Sequence, residues 1–367
     1  MKVTFVIASM GAGGAERVLS ILANHLVEKG WHITLLTFTR GPSFFPLHPF
    51  ITFCPLGILN RSPHAVQRLL DNFKRLWVLR RAIRKSDPQV VVSFLDQINV
   101  HTLLATWGLK IPVIVSERVD PVRHSSGSIW DTLRRRVYPM ASRVVSVTQG
   151  IDNYFDWLPK EKRAVINNPV EPRNNDREAF LFPPGVDPEK KWVVAMGRLT
   201  HQKGFDLLLN ALQKTADKYE DWQLVILGEG ELRSELESLR LKLGLQDRVV
   251  FPGCLKNPFP VLMRAKIFVL SSRYEGFANS LAEAMACGLP AVAFDCPGGP
   301  AEIIRHEVDG ILVPAEDVAA LAMGLGRLME DEEARGRLAA KAPDVVQRFS
   351  REKILGIWAD VIEKGVG

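Results

Sequence analysis

The stretch that decides the fold is "IFVLSSRYEGFANSLAEAMACGLPAVAFD", residues 267–295. It begins with a short apolar run, passes through a loop that contains Gly276, and enters a segment that favours a helix over 279–287. A second apolar run, 290–295, follows. Short, nearly continuous apolar strands joined through a helix are typical of a parallel sheet covered on both faces. This stretch therefore predicts an α/β fold.

The same alternation of strands and helices runs through most of the 367 residues, which is too long a chain for one ordinary core. A polar segment with several prolines, 168–192, interrupts the alternation and is the best linker candidate. We expect two tandem doubly wound domains, 1–170 and 183–350, and a last helix in 351–367 that crosses back to the first domain. Ligands of open parallel sheets bind at the carboxyl ends of the strands. Two such domains predict a cleft lined by these loops.

A glycine-rich loop, "SMGAGGAER" at 9–17, follows the first predicted strand and opens a helix. Gly11 and Gly13 fit the start of a dinucleotide-binding pattern, but Glu16 stands where the third glycine belongs. The second strand ends in "FTR", which offers no acidic residue to a ribose, so a dehydrogenase is not supported. Two interpretations remain, an anion-binding helix N-terminus and a tight turn that binds no ligand.

A basic pair occupies the corresponding loop of the second domain, within "MGRLTHQKG" at 196–204. The pair is Arg198, a planar fork of donors, and Lys203, a compact point charge. Both groups can hold a pyrophosphate and neutralise a nucleoside diphosphate as it leaves. The alternative is a pair of solvated surface cations.

Two glutamates, Glu275 and Glu283, lie eight positions apart in the opening stretch. The predicted helix begins between them, so Glu283 falls one turn into the helix. The backbone N–H groups of 276–280 can face an anion there. Carboxylates also accept hydrogen bonds from the hydroxyl groups of sugars. The alternative is two exposed glutamates favoured by the helix dipole.

Taken together, "GGAER", "GRLTHQKG" and "RYEGFANSLAEAMACGLPAVAFDCPGGPAEII" closely resemble the retaining glycosyltransferases of family 4, which have the GT-B fold. The resemblance covers nearly the whole chain, in the right order. Its most specific part is the spacing of Glu275 and Glu283. Within the family, the chain is most similar to the bacterial branch that builds surface polysaccharides and lipid-linked oligosaccharides.

The resemblance implies an enzyme that transfers a hexose or an N-acetylhexosamine from a UDP-sugar to a polyprenyl-linked glycan acceptor, with retention of configuration. It implies that Arg198 and Lys203 bind the pyrophosphate, that Glu283 binds the ribose, and that Glu275 lies by the donor sugar. It assigns the catalytic role to Glu275, Arg198 and Lys203, with no protein nucleophile. The other donor-binding residues that it implies are Gly13, Gly14, Gly253, Leu255, Gly276, Phe277, Ala278, Asn279 and Ser280.

The family is metal-independent, and the sequence contains no D-x-D motif, so we expect neither a metal nor a cofactor. One departure from the family lies at the end of the predicted strand "PVIVSE". Many relatives carry a histidine there, whereas this chain carries Glu117 and Arg118. The candidate acceptor contacts are Glu16, Glu117, Arg118 and Asp120, with His101 and His124 as weaker substitutes for the missing histidine.

Charge is unevenly distributed along the chain. Residues 1–182 hold 24 Lys and Arg against 14 Asp and Glu, a net charge of +10, whereas residues 183–367 have a net charge of −4. A basic half predicts an anionic partner. No DNA- or RNA-binding motif is present, so we expect no nucleic acid.

The predicted helix 63–86 combines an apolar stripe with a basic face. We expect it to hold the lipid-linked acceptor against an anionic membrane surface. The alternative is a core helix with a solvated basic back. The candidate membrane contacts are Arg68, Lys74, Arg75, Arg80, Arg81 and Arg84, and the stripe consists of Val66, Leu69, Leu70, Phe73, Leu76, Trp77 and Ile83.

Four cysteines without a CxxC motif indicate a reduced, cytoplasmic protein. No apolar run approaches the roughly 20 residues that a spanning helix needs, so we expect a peripheral protein at the inner face of the cell membrane. Two other functions stay open. A sugar-nucleotide epimerase or hydrolase of the same fold would need no glycan acceptor. A non-catalytic module would bind the nucleotide and tolerate the loss of Glu275.

Overall fold

The computed structural model describes residues 1–59, 65–123, 127–172, 182–215 and 218–366, and it describes the side chains of the second of these segments from Leu70 onward. The chain forms two compact units. Unit 1 consists of Met1–Pro169 and Arg351–Gly367, and unit 2 of Val170–Ser350.

Unit 1 is built on a seven-stranded parallel sheet in the order β3-β2-β1-β4-β5-β6-β7. The order reverses between β1 and β4, which makes the carboxyl ends of these central strands the expected ligand-binding edge. Its strands are β1 (Lys2–Ile7), β2 (His32–Thr37), β3 (Thr52–Pro55), β4 (Val90–Phe94), β5 (Val113–Glu117), β6 (Arg143–Ser146) and β7 (Arg163–Val165).

Helices flank this sheet. The first shows why they form, because its buried residues recur at the helical period and Gly30, with φ of 82°, ends it with a hydrogen bond from its N–H to the Val27 carbonyl. The helices of unit 1 that precede unit 2 are α1 (Gly14–Glu28), α2 (Ala65–Ser86), α3 (Asp96–Thr106), α4 (Ser128–Val137) and α5 (Gln149–Asn153).

Unit 2 contains a six-stranded parallel sheet in the order β10-β9-β8-β11-β12-β13, which reverses between β8 and β11. Its strands are β8 (Lys191–Met196), β9 (Trp222–Leu227), β10 (Val249–Gly253), β11 (Ile267–Leu270), β12 (Ala291–Asp295) and β13 (Gly310–Pro314). Its helices are α6 (Phe205–Gln213), α7 (Arg233–Lys242), α8 (Phe259–Arg264), α9 (Asn279–Ala286), α10 (Pro300–Ile303), α11 (Val318–Glu330), α12 (Glu332–Lys341) and α13 (Asp344–Arg348).

The last helix, α14 (Arg351–Lys364), packs on unit 1. Trp358 of this helix is fully buried, and its ring stacks on Phe94 at the end of β4 with 5.8 Å between the ring centroids. Leu355 and Ile362 are buried in the same core. Residues that follow unit 2 in sequence therefore complete the core of unit 1.

The α/β class and the strands of the opening stretch are confirmed, with shifted boundaries. The first apolar run of that stretch forms a strand that ends at Leu270, so Ser271 and Ser272 belong to the loop. The predicted helix over 279–287 ends at Ala286, and the second apolar run, 290–295, begins its strand at Ala291. The start of the predicted helix 63–86 falls outside the described residues, as do 173–181 of the predicted linker.

Candidate active site

Two loops meet at the switch point of unit 2, one after β8 and one after β11. The Nζ of Lys203 lies 2.6 Å from Oε1 of Glu275, and the two side chains are only 15% and 6% exposed. Ser272 donates a hydrogen bond to the same carboxylate oxygen at 2.6 Å. The structure thus brings together two residues that are 72 positions apart and that the sequence predicts to bind the donor.

Further contacts fix the two loops to one another. Ser271 donates from Oγ to the Lys203 carbonyl at 3.0 Å, and Gln202 donates from its amide to the Tyr274 carbonyl at 3.0 Å. Arg273 binds Asp206 with both ends of its guanidinium, at 2.9 and 2.6 Å. The position of Lys203 against Glu275 is therefore set by a network and not by one ion pair.

Two glycines allow this close approach. Gly204 has φ of 61°, and a Cβ there would stand 2.1 Å from the Ser271 carbonyl oxygen. Gly298, which follows β12, has φ of 110°, and a Cβ there would stand 1.8 Å from the carbonyl oxygen of Glu275. Side chains at either position would push the Glu275 loop out of place.

The loop that follows Glu275 is largely buried. Gly276 and Ala278 are enclosed, and the ring of Phe277 packs edge-on against Phe349 at 5.4 Å. The N–H of Asn279 donates to the Phe277 carbonyl at 2.8 Å. This N–H, which was predicted to face an anion, is therefore hydrogen-bonded within the loop in this structure. Ser280 lies in the first turn of α9, and its buried Oγ has no partner among the described residues.

The remaining predicted donor contacts of unit 2 lie at the same edge of its sheet. Arg198 follows β8 and is exposed, and Glu283 is half-buried in α9. Gly253 ends β10, where its carbonyl accepts a hydrogen bond from the Gly228 N–H at 2.9 Å, and Leu255 follows it half-buried.

Cys296 is a neighbour of the site that the sequence analysis did not identify. Burial raises the pKa of its thiol, the negative charge of Glu275 raises that pKa further, and the positive charge of Lys203 lowers it. The thiol is 4% exposed and therefore lines the site as a small apolar group. Cys296 directly follows β12, and it comes close to the Glu275 loop because β12 pairs with β11 in the folded sheet. The sequence alone does not show this pairing.

In unit 1, the glycine loop leads directly into α1. Gly13 is the residue that precedes the helix, and Gly14 is its first residue. Glu16 folds back over Gly13 and accepts a hydrogen bond from Ser9 Oγ at 3.3 Å. The carboxylate of Glu16 thus lies beside the loop that the sequence analysis singled out.

The predicted acceptor contacts at the end of β5 and directly after it are buried in the structure. Glu117 was predicted as an acceptor contact, but it is 2% exposed and binds Tyr138 and, at 3.3 Å, the amide of Asn99. Burial raises the pKa of this carboxyl group, although Arg134 and the two hydrogen bonds lower it. The carboxylate of Glu117 is therefore buried within unit 1 and engaged by Tyr138 and Asn99, and its contact with an acceptor stays a prediction.

The neighbours of Glu117 are also enclosed. Asp120 is 8% exposed, and its Oδ1 accepts a hydrogen bond from the Val122 N–H at 2.8 Å. Arg118 is 7% exposed and donates to Asn168 at 2.8 Å. His101 is buried against Phe38, whereas His124 lies outside the described residues.

The basic side chains of α2 fall into two classes. Arg75 donates to the Ile58 carbonyl at 3.0 Å, and Arg80 donates to the carbonyls of Ala105 and Trp107 at 2.8 Å. These two arginines bind the protein itself, because their guanidinium groups reach the ends of adjacent segments. Lys74, Arg81 and Arg84 are exposed, and the Arg68 side chain lies outside what the structure describes.

The apolar side chains of α2 also divide. Leu79 and Ile83 are fully buried, as a core helix requires. Leu70, Phe73 and Trp77 are instead 58%, 71% and 62% exposed, and Arg81 lies over the Trp77 ring. The helix thus packs on the protein through Leu79 and Ile83 and leaves apolar surface exposed at Leu70, Phe73 and Trp77, and its contact with a membrane stays a prediction.

Within the described segments, no helix combines the length and the apolar character that crossing a bilayer demands. The same part of the chain contains no group of three or more His, Cys, Asp or Glu side chains placed to bind a metal ion.

Two family models match the chain: "Glycosyl transferases group 1" matches residues 176–345, and "Glycosyl transferase 4-like domain" matches residues 13–169. A similar curated protein is the Campylobacter jejuni enzyme named GalNAc-alpha-(1->4)-GalNAc-alpha-(1->3)-diNAcBac-PP-undecaprenol alpha-1,4-N-acetyl-D-galactosaminyltransferase. It is 30% identical over 99% of this chain and 98% of its own. Another is the lipopolysaccharide core biosynthesis glycosyltransferase LpsD of Rhizobium meliloti, 34% identical over 96% of each chain.

Among solved structures, the chain is similar to Anabaena HepE in complex with UDP and glucose. The TM-score is 0.77 at 20% sequence identity, over 99% of both chains. At this identity the likeness concerns the fold alone, and it confirms the GT-B fold that the sequence predicts.

Proposed function

Because the chain belongs to the group 1 glycosyl transferases and is therefore a glycosyltransferase, we propose that it moves a hexose or an N-acetylhexosamine from a UDP-sugar to a polyprenyl-linked glycan. The transfer proceeds with retention of configuration and without a metal ion. The observation that carries the proposal is the Lys203–Glu275 pair at the switch point of unit 2, where an open parallel sheet binds its ligand.

The donor diphosphate binds at the loop after β8. Arg198 is exposed at the start of this loop, and Lys203 stands at its end with its ammonium group held by Glu275. Fixed positive charge in a largely buried position stabilises the charge that develops on the leaving diphosphate, and it needs no reorganisation during the reaction. These side chains take the role that a divalent cation has in other transferases.

Glu275 holds Lys203 in place and lies beside the transferred sugar, and Glu283 binds the ribose. The buried hydroxyl of Ser280 supports this assignment, because it is a polar group at the start of α9 without a partner among the described residues. A phosphate or sugar oxygen at this position would satisfy it.

The acceptor is a lipid-linked glycan that reaches unit 1 at a membrane surface. Support comes from the exposed apolar side chains Phe73 and Trp77 of α2, which stand beside the exposed cations Lys74, Arg81 and Arg84. Apolar and basic side chains on one helix bind the interface of an anionic bilayer. The name of the Campylobacter jejuni relative, which contains "PP-undecaprenol", also favours such an acceptor. We place the enzyme at the inner face of the cell membrane.

The test is a donor screen by calorimetry and turnover, with UDP-, GDP- and ADP-sugars and a pool of polyprenyl-diphosphate glycans. We expect transfer from one UDP-sugar in the presence of EDTA, and NMR of the product should show the same anomeric configuration as in the donor. Conversion of the UDP-sugar in water without an acceptor would favour an epimerase or hydrolase. Binding of UDP that survives Glu275→Ala, without any turnover, would favour a non-catalytic module.

A further inference from the structure

Arg118, directly after β5, is a buried cation without a carboxylate partner among the residues that the structure describes. Its only hydrogen bond in the described part of the chain runs from Nη2 to the Asn168 side-chain oxygen at 2.8 Å, and Asn168 is neutral. Its guanidinium lies over the ring of Phe94, 5.2 Å from the centroid. Nη1 is buried and has no partner among the described residues.

The two acidic residues closest to Arg118 in sequence bind elsewhere. The carboxylate of Glu117 is engaged by Tyr138 and Asn99, and Oδ1 of Asp120 accepts from the Val122 N–H. Burial without a counter-charge accordingly lowers the pKa of Arg118 to about 9. The guanidinium stays protonated at neutral pH. Its positive charge is stabilised by one neutral acceptor, the Asn168 side chain, and by the face of the Phe94 ring.

This arrangement costs free energy, because a buried charge needs a partner and full hydrogen bonding to offset its desolvation. A structural arginine would have both, as Arg273 has with Asp206. Arg118 also lies at the carboxyl end of a strand of an open parallel sheet, where ligands bind. Phe94, under its guanidinium, is held by the stacked ring of Trp358, so the cation has a rigid support.

We propose that Arg118 binds an oxyanion of a substrate in unit 1, with the unpaired Nη1 of its guanidinium donating hydrogen bonds to the anion. That Arg118 binds an anion follows from its own surroundings, whereas the identity of the anion as part of a substrate rests on the proposed glycosyl transfer. Guanidinium forks match phosphate and carboxylate oxygens alike. The anion is therefore a phosphate group of a nucleotide or lipid diphosphate, or the carboxylate of an acidic sugar.

The experiment uses the full chain carrying Lys203→Ala, which weakens the proposed donor site in unit 2. Thermal unfolding and calorimetry are recorded with sodium pyrophosphate, with sodium glucuronate and with sodium chloride at equal ionic strength. We expect at least one of the two anions to bind and raise the midpoint beyond the chloride control. In the same background, Arg118→Gln should weaken that binding at least tenfold. Arg123→Gln, which removes an exposed cation nearby in sequence, should leave it unchanged.

Binding of pyrophosphate that depends on Arg118 identifies a phosphate ligand, and the same result with glucuronate identifies an acidic sugar. Equal binding by the Arg118→Gln variant and its parent, or no binding by the parent, overturns the proposal.

The ligand-free Arg118→Gln variant should unfold no earlier than its parent, because it loses an unpaired buried charge. If it fails to fold, Arg118→Lys keeps the charge without the fork and should fold with weakened binding. Loss of folding in both variants would make Arg118 structural. None of these readouts requires transferase activity.

Discussion

Lys203 and Glu275 belong to separate sequence motifs, and the structure shows that the two side chains form an ion pair. Each side chain was predicted to face the donor, yet in the structure they face each other at 2.6 Å. Ser272 shares the carboxylate, which leaves the ammonium group oriented before any ligand arrives. Because the side chain of Lys203 is already fixed, binding a diphosphate costs little further side-chain conformational entropy.

Replacing Lys203 by Ala should affect both stability and binding. Glu275 would be left as a buried carboxylate without its cation, which costs about 3–5 kcal/mol in the free energy of unfolding. UDP affinity should fall at least tenfold, or ~1.4 kcal/mol, and transfer should nearly vanish. Calorimetry with UDP and denaturant unfolding measure the two effects.

The matched control is Lys191→Ala, which breaks the exposed pair of Lys191 with Asp221 at 3.0 Å. That change should cost less than about 1 kcal/mol and leave UDP binding intact. Unchanged transfer by Lys203→Ala would show that the diphosphate does not bind at this lysine.

The limits of the sequence are clearest for single residues after strands. Glu275 was recognised because its spacing from Glu283 is distinctive, and its position after a strand was correct. Glu117 is the last residue of a strand, but its partners Asn99 and Tyr138 come from α3 and the turn after α4. Whether a residue at a strand end faces a ligand or the core depends on these distant partners, which no local pattern specifies.

At the scale of elements, the buried carboxyl of Glu117 joins β5, α3 and the end of α4. Its folded-state pKa is raised above the ordinary value of 4.5, chiefly by burial. The folded state therefore binds a proton more tightly than the unfolded state does. The stability that this proton contributes is fully present below pH 4.5, and it is lost as the pH rises from there through the folded-state pKa.

Glu117→Gln should remove this pH dependence, because glutamine has the same shape and does not ionise. We expect the free energy of unfolding of the variant, relative to the wild type, to increase as the pH rises above 4.5. Urea unfolding at several pH values measures it. Glu363→Gln, in the exposed part of α14, controls for the loss of one carboxylate. A difference between Glu117→Gln and wild type that stays constant with pH would contradict the assignment.

Helix α2 should bind anionic vesicles through its exposed residues alone. The variant Lys74→Glu, Arg81→Glu, Arg84→Glu reverses three exposed cations and should release the protein from vesicles that contain phosphatidylglycerol. Each cation near such a surface contributes about 1 kcal/mol. Co-sedimentation measures the bound fraction, and UDP affinity should not change.

The control for α2 reverses three exposed lysines of unit 2, Lys214, Lys242 and Lys341, and should leave vesicle binding unaltered. Arg80 is excluded from the test because it binds the carbonyls of Ala105 and Trp107. Retained vesicle binding by the α2 variant would make α2 only a core helix with a solvated basic face.

Most of the strands could be predicted from the sequence, whereas the two edge strands of unit 1 could not. Strands β1, β4, β5, β8 and β11 are buried on both faces and read as continuous apolar runs. Strands β3 and β7 are short and lie at the two edges of the sheet of unit 1, so their sequences carry little apolar signal. The order of the strands, which creates both switch points, is a property of the folded sheet that periodicity does not encode.

At the scale of the whole molecule, each unit has a hydrophobic core of its own, and the chain returns to unit 1 after it has built unit 2. Trp358 of α14 belongs to the core of unit 1, and Trp222 of β9 to that of unit 2. Both rings are almost completely buried. The donor site assigned to Lys203, Glu275 and Glu283 lies in unit 2, so damage to the core of unit 1 should leave that site in place.

Trp358→Ala should therefore act on unit 1 alone. Removing a buried tryptophan costs about 3–5 kcal/mol, because it leaves a cavity and deletes the stack on Phe94. Amide hydrogen exchange should accelerate in β1, β4 and α1 and stay unchanged in β8 and β11, since local stability follows the core to which each element belongs. UDP affinity, measured well below the unfolding temperature, should remain that of the wild type.

Trp222→Ala is the matched variant and should reverse the pattern of amide exchange between the two units. Equal acceleration in both units after either change would mean that the two cores unfold as one, because independent cores respond only to their own tryptophan.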